Sequence, residues 1–261
     1  MPTILRPSRA LFRFSGGEAQ KLLFDVVTGR LLAETGPAVW WALLSPQGKI
    51  QAEGLSSYED GAFWLDVDRS AADGFLKRMK MYRLRAAVEI ADLRESHAVG
   101  WTGGEAHTRV VGSAAESAHW APADESYDAA RIAAGIAEQG PDFAADSVFP
   151  HDIGMDFLHG VDFKKGCYIG QEVVSRMEHR GTARRRPVIV SGIGAGVAAG
   201  TPVVVGSRDA GTIGLVVEGK AVGIVRLDRF DGGPVTVGGQ PVTITLPGWA
   251  SYRLGDSAAE G

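Results

Sequence analysis

The chain has 261 residues, a net charge of −4, 45% hydrophobic and 22% charged residues, the make-up of a folded protein with room for one large domain or two smaller ones. The acidic balance argues against broad nucleic-acid binding. No apolar stretch approaches the roughly 20 residues needed to cross a bilayer. The single cysteine, Cys167, excludes an internal disulfide and any zinc or iron–sulfur centre built from the chain's own thiolates alone. A lone thiol fits a reducing compartment, so a cytoplasmic protein is expected.

The opening segment carries Arg6, Arg9 and Arg13 and no acid, a faint resemblance to a transit segment. The alternation in ALFRFSG nevertheless reads as a first strand. Ser15 and Glu18 have capping-box spacing, and Ala19, Leu22, Leu23, Val26 and Val27 follow at helical intervals. VWWALLSPQGKIQAEGLSSY reads as two strands around the turn Ser45–Gly48, and AFWLDVD as a third. Ser70 is placed to cap a second helix with Leu76, Met79 and Tyr82 on one face. AAVEIADL returns as a strand. The order predicts an antiparallel sheet with helices against it, an α+β arrangement. Residues 102–126 read as loops and weak strands, and YDAARIAAGIAE as a helix ended near Gly140. From Pro187 onward, short β-branched runs separated by glycines predict a small antiparallel barrel or sandwich. The expected division is 1–186, 187–252 and a flexible tail, 253–261. The Gly-x-Gly fragments in the C-terminal part do not lie between a strand and a helix, as a dinucleotide site requires.

KKGCYIGQEVVSRMEHRGTARRR holds the cysteine. Val173, Val174 and Met177 predict a helix starting near Gly170. Cys167 then sits just ahead of a helix N-terminus, downstream of Lys164 and Lys165, and both features favour thiolate over thiol. Glu172 and Arg176 are spaced to pair along the helix. Arg176, Arg180, Arg184, Arg185 and Arg186 form a basic run that reads either as a solvated face or as a site for phosphate or carboxylate. His151, Asp152, Asp156 and His159 match no standard zinc spacing, so no metal site is expected.

Lys165–Glu172 resembles the signature Lys-Gly-Cys-[Tyr/Phe]-x-Gly-Gln-Glu of YgfZ-type proteins, and Val173, Val174, Arg176 and Arg180-Gly181 continue the match. FRFSGGEAQKLLFDVVTGRL, ALLSPQGKIQAEGLSSY and FPHDIGMDFLHGVDFKKGC extend the likeness over nearly the whole chain. These proteins are folate-binding accessory factors of iron–sulfur cluster metabolism, related to the glycine-cleavage T-protein, an aminomethyltransferase. The resemblance implies a T-protein-like folate-binding fold of ferredoxin-like elements around a central opening, with a C-terminal six-stranded β-barrel. It implies tetrahydrofolate or a derivative as ligand, and iron–sulfur client or assembly proteins as partners. It also implies a role in assembly or repair of [4Fe–4S] proteins, with indirect support of tRNA modification.

Carried onto this sequence, the resemblance makes Cys167 the working thiolate. Lys165, Gly166, Tyr168, Gly170, Gln171, Glu172, Arg176 and Asp152 become the folate-contact candidates. Gly166 and Gly170 would let the backbone bend, and Arg176 would meet the anionic glutamate tail. A monomer with no membrane and no direct nucleic-acid partner is expected. The alternative is a folate-dependent aminomethyl transferase. Against it, Ala52 stands where the transferases are expected to carry a catalytic carboxylate, and an alanine cannot act on a folate nitrogen. Glu53, next along the strand, points to the opposite face.

Overall fold

The structure, a computed structural model, describes residues 2–106 and 108–256. Its first half is built on β2 (Arg9–Ser15), α1 (Ala19–Val26), β3 (Val39–Leu44), β4 (Ile50–Glu59), β5 (Ala62–Asp68), α2 (Ala72–Arg83) and β6 (Glu89–Asp92). The strands form one antiparallel sheet in the order β3-β4-β5-β2-β6. The short β1 (Ile4–Leu5) pairs instead with β7 (His97–Trp101), which continues to β8 (Val110–Ser113). The opening segment is thus woven into the fold, and both Arg6 and Arg9 are buried.

Strand alternation makes the five-stranded sheet a wall between two cores. Trp41, Leu43, Ala52 and Leu65 face α1 and α2, packing on Leu22, Leu23, Phe75 and Met79. Trp40, Ala42, Leu44 and Ile50 face the other way, onto Ile153, Met155, Tyr168 and Val174 and onto Val222 and Ile224 of the C-terminal unit. Burial on both faces explains why VWWALL reads as an unbroken apolar run.

The anticipated helices form, with different caps. Ser15 remains in β2, paired with Ala62 and Glu89, and α1 has no side-chain cap. Glu18 instead accepts the Ala87 N–H at 2.6 Å, a partner far along the chain. Ahead of α2, Asp68 rather than Ser70 supplies the capping oxygen, accepting the Ser70 N–H at 2.9 Å. Helix α2 stops at Leu84, whose φ of +44° and ψ of −105° lie where L-residues are rarely found, a conformation that costs about 1–3 kcal/mol.

After α3 (Ala114–Ser117), α4 (Ser126–Ala133) and α5 (Gln171–Arg180), the chain enters a seven-stranded antiparallel sheet curled into a nearly closed barrel. Its strands are β9 (Arg185–Ser191), β10 (Pro202–Val205), β11 (Arg208–Ile213), β12 (Lys220–Arg226), β13 (Val235–Val237), β14 (Gln240–Pro241) and β15 (Thr243–Thr245), in the order β14-β13-β10-β11-β12-β9-β15. That is one strand more than the six the resemblance implied, because the last β-branched run divides at Val242, its first part pairing with β13 and its second with β9. Val188, Val190, Val203, Ile213, Val225 and Val237 fill the interior. Tyr252 ties the chain end back, its hydroxyl donating to the Pro187 carbonyl at 2.6 Å. Of the expected tail, Gly255 donates its N–H to Leu227 at 2.9 Å, and residues 257–261 lie outside the described residues.

Candidate functional site

The loop before α5 is held from below and open above. Helix α1 ends without a basic residue in its last turn, so its final carbonyls need donors from elsewhere. Lys165 supplies them. Its Nζ donates to the carbonyls of Phe24 at 2.8 Å, Val27, and Gly29 at 3.3 Å. The ammonium also lies 5.0 Å from the Phe24 ring centre and 4.9 Å from that of Tyr168. Burial pushes this amine down to about 8, against the pull of Asp162 and Asp25. Asp162 shapes the turn by accepting the N–H groups of Lys164 at 2.8 Å and Lys165 at 3.2 Å. Beyond the cysteine, Tyr168 and Gly170 secure the other side. Tyr168 is buried, and burial raises its phenol. Gly170 has a φ of +79°, and a Cβ there would lie 2.6 Å from the Ser45 carbonyl oxygen. The hairpin turn Ser45–Gly48 and the cysteine loop therefore interlock.

Between these anchors, Cys167 is exposed. It sits three residues before Gly170, which precedes α5, and the Gln171 N–H closes the intervening turn onto the Tyr168 carbonyl at 3.2 Å. The Lys165 ammonium, expected to face the thiol, is turned into the end of α1. Glu172 and Arg176 do pair, at 2.6 Å, on the exposed face of α5, where such a pair adds little stability.

The basic run divides into two groups. Arg180 and Arg184 are exposed. Arg185 bonds to the Asp152 carboxylate and to the Ser147 carbonyl at 3.1 Å. Arg186 donates to the His151 carbonyl and to Asp156, each at 2.8 Å. These two arginines fasten the barrel to the turn at 150–153 and are not available to a ligand tail. Asp152 is buried, accepts the Phe149 N–H at 2.9 Å, and acts as a structural acceptor. Among the described residues His151, Asp156 and Glu178 bring ligand atoms within 4.8 Å of one another, but the Arg186 guanidinium already occupies Asp156.

A second polar region lies against the same Trp40-bearing face of the sheet, and no sequence motif announces it. Arg6, Arg9, Arg109 and Arg131 meet Glu53, Asp66, Glu138 and Asp142 in the interior. Arg9 donates from Nε to Asp66 at 2.7 Å and reaches the Glu53 carbonyl at 3.1 Å. A Cβ on Gly54 would lie 1.9 Å from the Asp66 carbonyl oxygen, so a glycine is needed for that approach. Burial works to raise the Glu138 carboxyl, but Arg6, Arg9 and Arg131 together hold it down to about 2. Glu53 has one guanidinium nearby, Arg9 at 3.6 Å, with neutral donors from Trp40 at 2.7 Å and Gln139 at 3.0 Å. Burial therefore prevails and Glu53 is pushed up. Ala52 and Glu53 do lie on opposite faces. Ala52 faces the helix-side core, and Glu53 faces this ionic cluster.

The space enclosed by Arg6, Arg9, Trp40, Glu53 and Glu138 is about 10 Å³, room for one water at most. A larger cleft of about 550 Å³ opens beside it, lined by Pro37, Trp40, Ser57, Glu59, Glu105 and Arg109 among others. None of the eight folate-contact candidates lines either space. The structure gathers Lys165, Gly166, Tyr168, Gly170 and Gln171 around Cys167, leaves Glu172 and Arg176 on the surface of α5, and sets Asp152 apart under Arg185. Sequence reasoning missed the ionic cluster. Its one local sign was an acid, Asp66, set between the apolar Leu65 and Val67.

Fold and loop together define a class: an α+β frame with a terminal antiparallel barrel, presenting a clamped surface thiol. Comparison with known proteins gives this class its relatives. Residues 184–252 match the family model described as CAF17, C-terminal beta-barrel domain. The iron-sulfur cluster assembly factor IBA57 homolog, mitochondrial, of Mycosarcoma maydis is 29% identical over 224 residues, which is 71% of this chain and 56% of the relative. The homolog of the same name from Chaetomium globosum is 29% identical over 272 residues, 81% of this chain and 62% of the relative. The chain thus spans little more than half the length of the curated relatives it matches. The glycine cleavage system aminomethyltransferase T from Bartonella henselae has the same fold, with a TM-score of 0.76 over 97% of this chain and 87% of that one, at 14% identity. The T-protein-like fold is therefore present. The cytoplasmic expectation is corrected, since the relatives are named as mitochondrial. A reduced thiol requires only a reducing compartment and does not single out the cytoplasm.

Proposed function

We propose that this protein is an accessory factor in the assembly or repair of [4Fe–4S] proteins, with Cys167 as its working thiol. The observation that carries the reading is the exposed Cys167, set between the inward-anchored Lys165 and the buried Tyr168, with Gly170 locked against the Ser45 carbonyl. The likeness to named iron–sulfur assembly factors supports it. A thiolate is an iron ligand and also a nucleophile toward a partner's disulfide. One thiolate supplies one ligand where a cluster needs several, so a cluster in contact with Cys167 is held jointly with a partner protein. Support of tRNA modification follows at one remove, through enzymes that need such clusters.

The ligand implied by the fold is tetrahydrofolate or a derivative. The enclosed cavity beside Glu53 does not fit a pterin, but the adjoining cleft has the volume. There, Glu59 and Glu105 are acceptors for a pterin's amino edge, Ser57 and Thr108 offer hydroxyls, and Arg109 keeps a buried Nε–H without a partner. A reduced folate bound there would supply one-carbon or reducing chemistry. No observation favours the aminomethyl-transferase alternative, because the Glu53 carboxylate is already engaged by Trp40 and Gln139.

The test is restoration of [4Fe–4S] enzyme activity in cells deleted for the protein. Wild type restores it, and failure of wild type would end the iron–sulfur reading. A calorimetric titration with tetrahydrofolate tests the ligand separately. Absence of binding removes the folate and leaves the thiol role intact.

A further inference from the structure

Helix α2 turns Ala72, Phe75 and Met79 into the core. Its opposite face carries Lys77, Lys80 and Met81 at the i, i+3, i+4 spacing of one helical stripe, and Leu84 follows at the helix end. All four are exposed, Met81 by 58% and Leu84 by 81%. Lys77, Arg78, Lys80, Arg83 and Arg85 put five bases into nine residues, with no acid between Asp73 and Glu89. Lys77, Lys80 and Arg85 make no hydrogen bond or salt bridge among the described residues. The acids that face this end are engaged elsewhere: Asp73 and Asp92 bind Arg94, and Glu18 accepts from Ala87. In a chain of net charge −4, this is a local cationic tip.

Bases near a helix C-terminus are ordinary, since they oppose the dipole. The dipole gives no reason for two large apolar side chains in water beside them. Nor does it explain Leu84, which is held at a φ of +44° with its side chain outward. Backbone strain that keeps an apolar side chain exposed points to a contact made there. The contact surface is an exposed helix end that joins apolar side chains to a cluster of cations. A deformable anionic layer accepts that shape, whereas a protein partner needs a matching pocket.

We propose that this end of α2 docks on an anionic lipid bilayer, with Met81 and Leu84 entering the interface and the five bases meeting the headgroups. The contact is peripheral, as no helix among the described residues is long and apolar enough to cross a membrane. The expectation of no membrane rested on crossing alone. Helix α1 separates the two functional ends. The Ala87 turn sits at its start and Lys165 at its finish, so docking leaves Cys167 free, roughly 12 Å of helix away.

The experiment is co-sedimentation of the full chain with vesicles of equal parts phosphatidylcholine and phosphatidylserine, against phosphatidylcholine alone. Wild type sediments with the anionic vesicles only, and salt weakens binding. Met81→Ser with Leu84→Ser weakens it about tenfold or more, as does the separate variant Lys77→Gln with Lys80→Gln, both melting like wild type. No binding to anionic vesicles overturns the proposal. So does full binding by the Met81→Ser, Leu84→Ser protein, or capture of the tip by an acidic protein in place of vesicles.

Discussion

The loop around Cys167 and the ionic cluster around Arg9 both border the Trp40-bearing face of the sheet, and they treat polar groups in opposite ways. In the loop, the polar anchor is buried so that its neighbour can be exposed. Lys165 goes inward to the end of α1, and Cys167 is left at the surface. In the cluster, every charge is turned inward against another, and the space left over holds a single water at most. The first arrangement presents a reactive group. The second fills the interior beside Trp40 with paired charges. On the proposed function, a T-protein-like frame carries its working thiol at the surface.

Perturbations of the two regions should separate stability from function. The largest effect on folding is expected from Arg9→Met, which leaves Asp66, Glu53 and Glu138 short of their shared cation and lowers stability by about 3–5 kcal/mol, measured by urea unfolding. Gly170→Ala comes next. It forces a Cβ against the Ser45 carbonyl at a positive φ, costs about 2 kcal/mol, and loosens the loop, so thiol labelling at Cys167 changes in step with the melting temperature. Lys165→Met leaves the last carbonyls of α1 without their donor and costs about 1–2 kcal/mol.

The pH dependence sharpens the same contrast. Glu138 is held below its ordinary 4.5, to about 2. Its contribution is present in full above 4.5 and is lost as pH falls toward 2, and Glu138→Gln removes that acid-side slope. Lys165 lies below its ordinary 10.5, at about 8. Between those values the unfolded chain holds more protons than the folded one, so stability rises with pH across that window. Lys165→Met flattens the rise. Denaturant midpoints at the two ends of the pH range measure both effects.

How much of this was legible in the sequence follows from distance along the chain. The loop is one continuous segment, and its glycines, lysine and tyrosine are neighbours in sequence as in space, so Lys165–Tyr168 could be singled out by reading. The hairpin turn and the β-branched runs of the barrel are local too. The capping box at Ser15 and Glu18 failed because Glu18 found the Ala87 N–H, 69 residues away. The cluster was invisible for the same reason: Arg9 meets Asp66 across 57 residues, and Glu53 meets the Gln139 N–H across 86. The inward turn of Lys165 depends on carbonyls about 140 positions earlier, so its local setting suggested a cation beside the thiol instead.

The smallest structural perturbation tests the central claim most directly. Cys167→Ser changes one exposed atom and shifts stability by less than about 0.5 kcal/mol. Glu53→Gln alters the enclosed cavity. With both variants placed in cells lacking the protein and [4Fe–4S] enzyme activity measured, a working thiol on the rim predicts that Cys167→Ser fails while a folded Glu53→Gln restores activity. Full restoration by Cys167→Ser would contradict the account.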